Sequence, residues 1–551
     1  MTHPSSEGIV PWPADFAARY RAAGYWEDRP IAEYILDVAD RDPSKVALVS
    51  GDMRMTYGEL VDRMDAAAER LLALGLRADD RILVQLPNGW QFVVLTLACF
   101  RVGIIPVMAL PAHRRHELLY LAAHSESVAI AVPDSLKDFD HRALGHAIAA
   151  ATESLRWVLV SGTAAEDDVD LDQILQPGAD AGARGRVDAL APSPESAACF
   201  LLSGGTTGLP KLITRTHNDY AYNVRATSVV SGFDCDTIYL GTLPASHNFP
   251  LACPGILGAL FVGGTAIMLP SPEPARGFAT IEREKVTHAA AVPAVAQRWI
   301  EYQREVGGDA LASLRVLQVG GSRMPDELAA RVRPELGATL QQVFGMAEGL
   351  INMTRLDDPD DVITTTQGRP VSPADEVRVV DQDGNDLPDG ERGLILTRGP
   401  YTPRGYYLAE EHDGRAFVDG WYGSGDVVEQ RPDGNLVVHG REKDIINRGG
   451  EKISAEEVEN IVYRLDRIDL VAAISIPDPV LGERLCLCLT VQDREPISLE
   501  FIRDFMTREG IAAYKLPERL EVMDSLPTTK IGKIDKRALR EDLAVRLSSI
   551  G

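Results

Sequence analysis

The stretch "AACFLLSGGTTGLPK" (197–211) sets an apolar run directly ahead of three glycines, three small hydroxyl residues and a lysine. Glycines let a backbone take positive φ and approach a ligand closely. Successive amides in such a turn can form an anion-binding nest. The stretch therefore predicts a strand that delivers a phosphate-sized anion site. Gly204, Gly205 and Gly208 would be its permissive positions, Ser203, Thr206 and Thr207 its hydroxyl donors, and Lys211 its charge. The GxxxxGK[ST] spacing is absent and Pro210 precedes the lysine, so this is not a Walker A loop; GxGxxG is absent here too. A solvent-facing surface loop is the other reading of such a run.

Working outward, short β-branched runs alternate with helical stretches: "VALVSG", "RILVQLP", "SVAIAVPD", "RWVLVSG", "TIYLGTLP", "TAIMLP", "HAAAVPAV", "RVLQVGG". Between the first two lies "TYGELVDRMDAAAERLLALG", where Thr56 and Glu59 are spaced as a capping box ahead of apolar residues at helical intervals. Strand-helix alternation predicts α/β layers with largely parallel sheets. Residues 176–196 read as a loop. Beyond about residue 440 the chain becomes charge-rich and reads as a small α+β unit, which gives expected domains of 1–440 and 441–551.

The 551 residues exceed what one core usually serves. A net charge of −25, from 56 basic and 81 acidic residues, would repel nucleic acid and anionic membranes, so neither is an expected partner. The start lacks a signal-peptide pattern, and the best apolar run, "GILGALFVGGTAIMLP", is short and broken by glycines. The six cysteines are scattered and form no CxxC. They predict a cytoplasmic protein without a structural metal.

Five ordered motifs resemble those of the adenylate-forming superfamily, which holds acyl-CoA synthetases, luciferases and the adenylation domains of nonribosomal peptide synthesis. They are "SGGTTGLPK", "QQVFGMAEGL" (341–350), "GWYGSGDVV" (420–428), "GREKDIINRGGEKI" (440–453) and "PTTKIGKIDKR" (527–537). The resemblance spans about residues 30 to 545. It implies a large N-terminal domain of layered α/β subdomains with a small β-barrel-like subdomain, and a small mobile α+β C-terminal domain. It implies ATP and Mg²⁺, and formation of an acyl-AMP with loss of pyrophosphate. Two anions must meet in that reaction, so charge neutralisation and positioning should dominate catalysis.

By the same resemblance the opening loop holds the β- and γ-phosphates, Glu348 holds the metal, and Asp426 holds the ribose hydroxyls. Arg441 supports the ribose or a phosphate, and Lys443 is the hinge. Lys533 meets the acid carboxylate and the developing acyl-phosphate oxygen. Gly321, Ser322, Val343, Phe344, Gly345, Met346 and Ala347 line the nucleotide site. Family members commonly carry Tyr-Gly-x-Thr-Glu where this chain has Phe344-Gly345-Met346-Ala347-Glu348, a variant that resembles the aryl-acid branch. Rotation of the small domain would bring "NRGGEK" (447–452) to the active site for thiol transfer.

"PASHNFPLACPG" (244–255) resembles the acid-binding segment of stand-alone aryl-acid ligases of siderophore assembly. It implies His247 at the carboxylate end, Asn248 on an ortho-hydroxyl and Phe249 against the ring, with Gly320, Val343 and Ile351 as further walls. Cys253 points to salicylate, because relatives favouring 2,3-dihydroxybenzoate tend to carry serine there. A thiol behaves as a small hydrophobe and suits a C–H at ring position 3. The chain stops soon after the lysine motif, so the expected acceptor is the phosphopantetheine thiol of a separate aryl carrier protein; the alternatives are a 2,3-dihydroxybenzoate-AMP ligase, an aryl-CoA ligase that uses free coenzyme A, and, last, a nucleotide-binding protein without catalysis.

Overall fold

A computed structural model describes residues 8–548 apart from 179–181, 204–208, 325, 382, 442–444, 466, 492–495, 528–533 and 535. Among the described residues the strands form four main sheets and one two-stranded ribbon.

The alternating runs form the two largest sheets. Six strands lie mutually parallel at the centre of a nine-stranded sheet, in the order Thr339–Met346, Val316–Gly320, His288–Ala291, Ile238–Gly241, Thr265–Met268, Val46–Ser50. A seven-stranded sheet carries Leu212–Thr216, Ala197–Leu202, Ile105–Met108, Arg81–Val84, Ala129–Pro133, Trp157–Ser161 and Val169–Asp170; apart from the first, its strands run parallel. Parallel strands bury both faces, and all five residues of Ala129–Pro133 are buried. Thr56 and Glu59 form the expected capping box: Glu59 N donates to Thr56 Oγ1 at 3.2 Å and Thr56 N to Glu59 Oε2 at 2.8 Å. They start the helix Tyr57–Ala73.

A third sheet is antiparallel and built from Glu376–Val380, Arg392–Arg398, Phe417–Val418, Trp421–Gln430 and Leu436–Arg441; its strands pair along an open path. Asp426 pairs with Arg441 at its end, and the next sheet begins only at Ile445. That last sheet joins the hairpin Ile445–Arg448 and Glu451–Ser454 to Gly482–Val491, Ile468–Asp478 and Arg519–Val522. Its helices Ala455–Val462 and Leu499–Arg508 complete an α+β unit.

One expectation is corrected. Residues 176–196 are not all loop, because Ala183–Asp188 is a helix. Alanine and arginine are good helix formers. Arg184 pairs with Asp40 and Arg186 with Glu69, which ties the segment to the neighbouring helices. Five cysteines are buried and Cys235 is exposed, all six as free thiols. Among the described residues no helix is long and apolar enough to cross a membrane.

Candidate active site

A cavity of about 640 Å³ opens at the carboxyl ends of the parallel strands, the usual ligand position in such sheets. The strand Ala197–Leu202 and its antiparallel partner Leu212–Thr216 bring Leu202, Ser203 and Pro210 to its edge. Ser203 N donates to Lys211 O at 3.0 Å and Lys211 N to Ser203 Oγ at 3.2 Å, closing the neck of that turn. Gly204, Gly205, Thr206, Thr207 and Gly208 lie outside the described residues, as do Lys443 and Lys533. Ser203 lines the cavity. Lys211 Nζ stands 5.0 Å from the centre of the Tyr406 ring, and Tyr406 donates its hydroxyl to Glu348 Oε1 at 2.9 Å.

Val343 to Glu348 all line the cavity. Val343 and Ile351 line one wall, and Gly320, paired with Val343, packs behind that wall and does not itself line the cavity. Glycine is needed at 320, where a Cβ would stand 2.9 Å from Val343 O and 3.2 Å from Phe249 Cε1. Glu348 and Asp426 are 7% and 5% exposed, low for carboxylates. Ser424 Oγ donates to Asp426 Oδ2 at 2.7 Å and orients it. Arg441 is placed only by its backbone, opposite Asp426.

The segment 244–255 forms the short helix Asn248–Ala252, with His247 as its N-cap residue and Cys253 just past its end. His247, Asn248, Phe249 and Cys253 all face the cavity. Asn248 Nδ2 donates to Cys253 Sγ at 3.3 Å. Burial pushes the Cys253 thiol up to about 12, so it stays neutral. His113, also on the cavity wall, is pushed down to about 3 by burial and is a neutral imidazole.

The hairpin 445–454 covers the open side. Asn447, Gly449, Gly450, Glu451 and Lys452 line the cavity opposite Gly321 and Ser322. Asn447 Nδ2 donates to Gly321 O at 3.3 Å, and Glu451 Oε2 lies 3.9 Å from His247 Nε2. At Gly450, with φ +93°, a Cβ would press to 2.9 Å from Val292 Cγ1. Behind the hairpin, Lys515 Nζ is held by Glu457 at 2.9 Å and by Glu117 at 3.3 Å.

Comparison with known proteins matches residues 36–407 to the family model "AMP-binding enzyme" and residues 457–533 to "AMP-binding enzyme C-terminal domain". The chain belongs to the AMP-binding enzyme family. It is 57% identical to a salicylyl-CoA synthase / salicylate adenylyltransferase of a Streptomyces species, covering 99% of each chain. It is 46% identical to the salicyl-AMP ligase / salicyl-S-ArCP synthetase of Mycobacterium tuberculosis, covering 98% of this chain and 95% of that one. The apo structure of Mycobacterium smegmatis MbtA superposes with a TM-score of 0.75 at 43% identity, over 98% of this chain and 100% of that one. The chain sits in the aryl-acid adenylating branch of the AMP-binding enzymes.

Reading the sequence as an AMP-binding enzyme missed several groups at this site. Arg215 and Asp219 form a fully buried ion pair at 2.6 Å, and Arg215 Nη1 donates to Ala347 O at 3.2 Å, one residue before Glu348. Tyr220 and Asn223 stand behind the helix Asn248–Ala252. The available signal was "TRTHNDYAYN" (214–223), a polar and aromatic run across the end of a strand and the start of a helix, which the structure buries. Lys515 and Glu457 carried no signal beyond charge.

Proposed function

We propose that this enzyme joins salicylate to ATP, releasing pyrophosphate and forming salicyl-AMP, and then passes the salicyl group to the phosphopantetheine thiol of a separate aryl carrier protein. The observation that carries this reading is the pair Asn248 and Cys253, an amide donor and a weakly polar sulfur 3.3 Å apart on one cavity wall. The amide suits a 2-hydroxyl and the sulfur suits a C–H at position 3. Both relatives named above carry the salicyl group in their names. 2,3-Dihydroxybenzoate is the near competitor, since rejecting one added hydroxyl is worth only about 1–3 kcal/mol.

In this reading the loop 203–211 holds the β- and γ-phosphates, Asp426 the ribose and Arg441 the ribose or a phosphate. Lys533 stabilises the charge that develops where the carboxylate attacks the α-phosphorus. His247 sits at the carboxylate end. Among the described residues no three His, Cys, Asp or Glu side chains form a metal cluster. The buried Glu348 carboxylate fits a hard cation that arrives on the phosphates of ATP. When bound, Mg²⁺ supplies charge neutralisation there. The two functional units are 1–440 and 441–551, hinged at Lys443, and the site of action is the cytoplasm.

ATP–pyrophosphate exchange across ring-substituted benzoates tests the first half-reaction. Salicylate should lead, with 2,3-dihydroxybenzoate behind; equal turnover of benzoate overturns the reading. A second acceptor is favoured by one observation, the coenzyme A named in the Streptomyces relative. Comparing thioester formation with coenzyme A and with a loaded carrier protein decides between them.

A further inference from the structure

Tyr220 and Asn223 lie one turn apart on the helix His217–Val230 and so leave the same face. Both are fully buried, and both reach the acid-binding segment. Asn223 Nδ2 donates to Ala252 O at 2.7 Å and lies 3.9 Å from Cys253 Sγ. Tyr220 donates its hydroxyl to Asn248 Oδ1 at 2.9 Å. The Tyr220 ring is fixed from the other side by the Arg215 guanidinium, 4.6 Å from its centre, which is itself pinned by Asp219.

These contacts decide which way the Asn248 amide faces. An amide could present either its oxygen or its NH₂ to a ligand. Burial holds the Tyr220 phenol in its protonated form, so it carries a hydrogen that must find an acceptor. Asn248 Oδ1 supplies that acceptor. Turning the amide over would set NH₂ against the phenol and strand the phenol hydrogen. The NH₂ is thereby turned to Cys253 and the cavity.

We propose that Tyr220 is a positioning residue that locks Asn248 as a hydrogen-bond donor, so that the site selects aryl acids whose ortho group accepts a hydrogen bond. This rests on the reading that Asn248 meets the ortho substituent. In salicylate the 2-hydroxyl donates to its own carboxylate and keeps oxygen lone pairs for the amide. In anthranilate the 2-amino group also donates to the carboxylate, but its lone pair is drawn into the ring and its second N–H would face the amide NH₂. In benzoate nothing meets the amide. The lock therefore favours hydroxyl over amino at a position where the two groups differ little in size.

The test measures kcat/KM in ATP–pyrophosphate exchange for salicylate, anthranilate and benzoate, with the wild type and Tyr220→Phe. The variant is expected to lower the salicylate-to-benzoate ratio about tenfold, as loss of one oriented hydrogen bond would, and to lower the salicylate-to-anthranilate ratio further. Ratios that stay fixed, even as absolute rates drop, overturn the role of Tyr220. Asn248→Asp keeps an acceptor for Tyr220 but puts a carboxylate where the donor stood, so it should reverse the preference between salicylate and anthranilate; an unreversed preference also overturns the proposal. A wild-type enzyme that does not distinguish salicylate from benzoate overturns instead the reading on which this inference stands.

Discussion

Lys515 and Glu117, 398 residues apart in the chain, meet at 3.3 Å where the small α+β unit touches the large one. Glu457 closes the triad at 2.9 Å, and all three side chains are 6% exposed or less. Removing one member of such a buried group leaves charge uncompensated, at a cost of about 3–5 kcal/mol. The triad holds the orientation in which the hairpin 445–454 covers the cavity. Glu117→Gln and Lys515→Met should therefore slow thioester formation at least about tenfold while sparing salicylate-dependent pyrophosphate exchange. Equal losses in both half-reactions would show that the triad serves only general stability.

The same triad predicts a pH signature. Burial, opposed by Lys515, pushes Glu457 from an ordinary 4.5 up to about 7. The folded chain then keeps a proton that the unfolded chain has released, so this group's contribution is full below pH 4.5 and is lost as pH rises through about 7. His113 titrates in the opposite sense, being held neutral by burial. Comparing wild type with Glu457→Gln reads the glutamate together with the His116 imidazole, whose Nε2 lies 3.8 Å from Glu457 Oε1. The melting temperature of the variant relative to wild type should climb across that window and level off above it; a flat difference rejects the assignment.

Cys253→Ser should move preference toward 2,3-dihydroxybenzoate by about tenfold in kcat/KM ratio, within the 1–3 kcal/mol one hydroxyl supplies. Asn248 Nδ2 already points at Sγ from 3.3 Å, so a hydroxyl oxygen would join the same hydrogen-bond chain. An unmoved ratio would assign selectivity at ring position 3 to another wall.

Gly320→Ala probes the packing behind two wall residues, Val343 and Phe249. The added Cβ would crowd Val343 O and the Phe249 ring at 2.9 and 3.2 Å, and overpacking of this kind costs about 1–3 kcal/mol. The KM for the acid should rise about tenfold with the KM for ATP much less affected. Isothermal titration with salicylate checks it; unchanged affinity would place the acid elsewhere.

Lys533→Ala should cut adenylate formation about 10²-fold or more, as removal of a charge aimed at the transition state does, with ATP binding retained. Unchanged exchange kinetics would remove this lysine from the mechanism.

Much of this architecture is legible in the residues themselves. "VALVSG" and its counterparts become parallel strands because each run is short, β-branched and bounded by turn residues. Thr56 and Glu59 cap a helix because the geometry is local. The helix Ala183–Asp188 was hidden by the glycines and prolines around it, and long-range ion pairs hold it in place. The Arg215–Asp219 pair and Tyr220 escaped for a different reason: buried polar side chains look like a solvated face until their partners are known. The Lys515–Glu117 contact is illegible in principle, since no periodicity links residues so far apart.

The lone exposed thiol at Cys235 has a practical consequence. A maleimide dye should attach there first, with Cys253 inside the cavity protected by bound salicyl-AMP and the four core sulfurs untouched, so the unaltered chain already carries an address for one fluorophore. With a second cysteine engineered on the outer surface of the 445–548 unit, energy transfer between the two labels would test whether that unit swings during turnover.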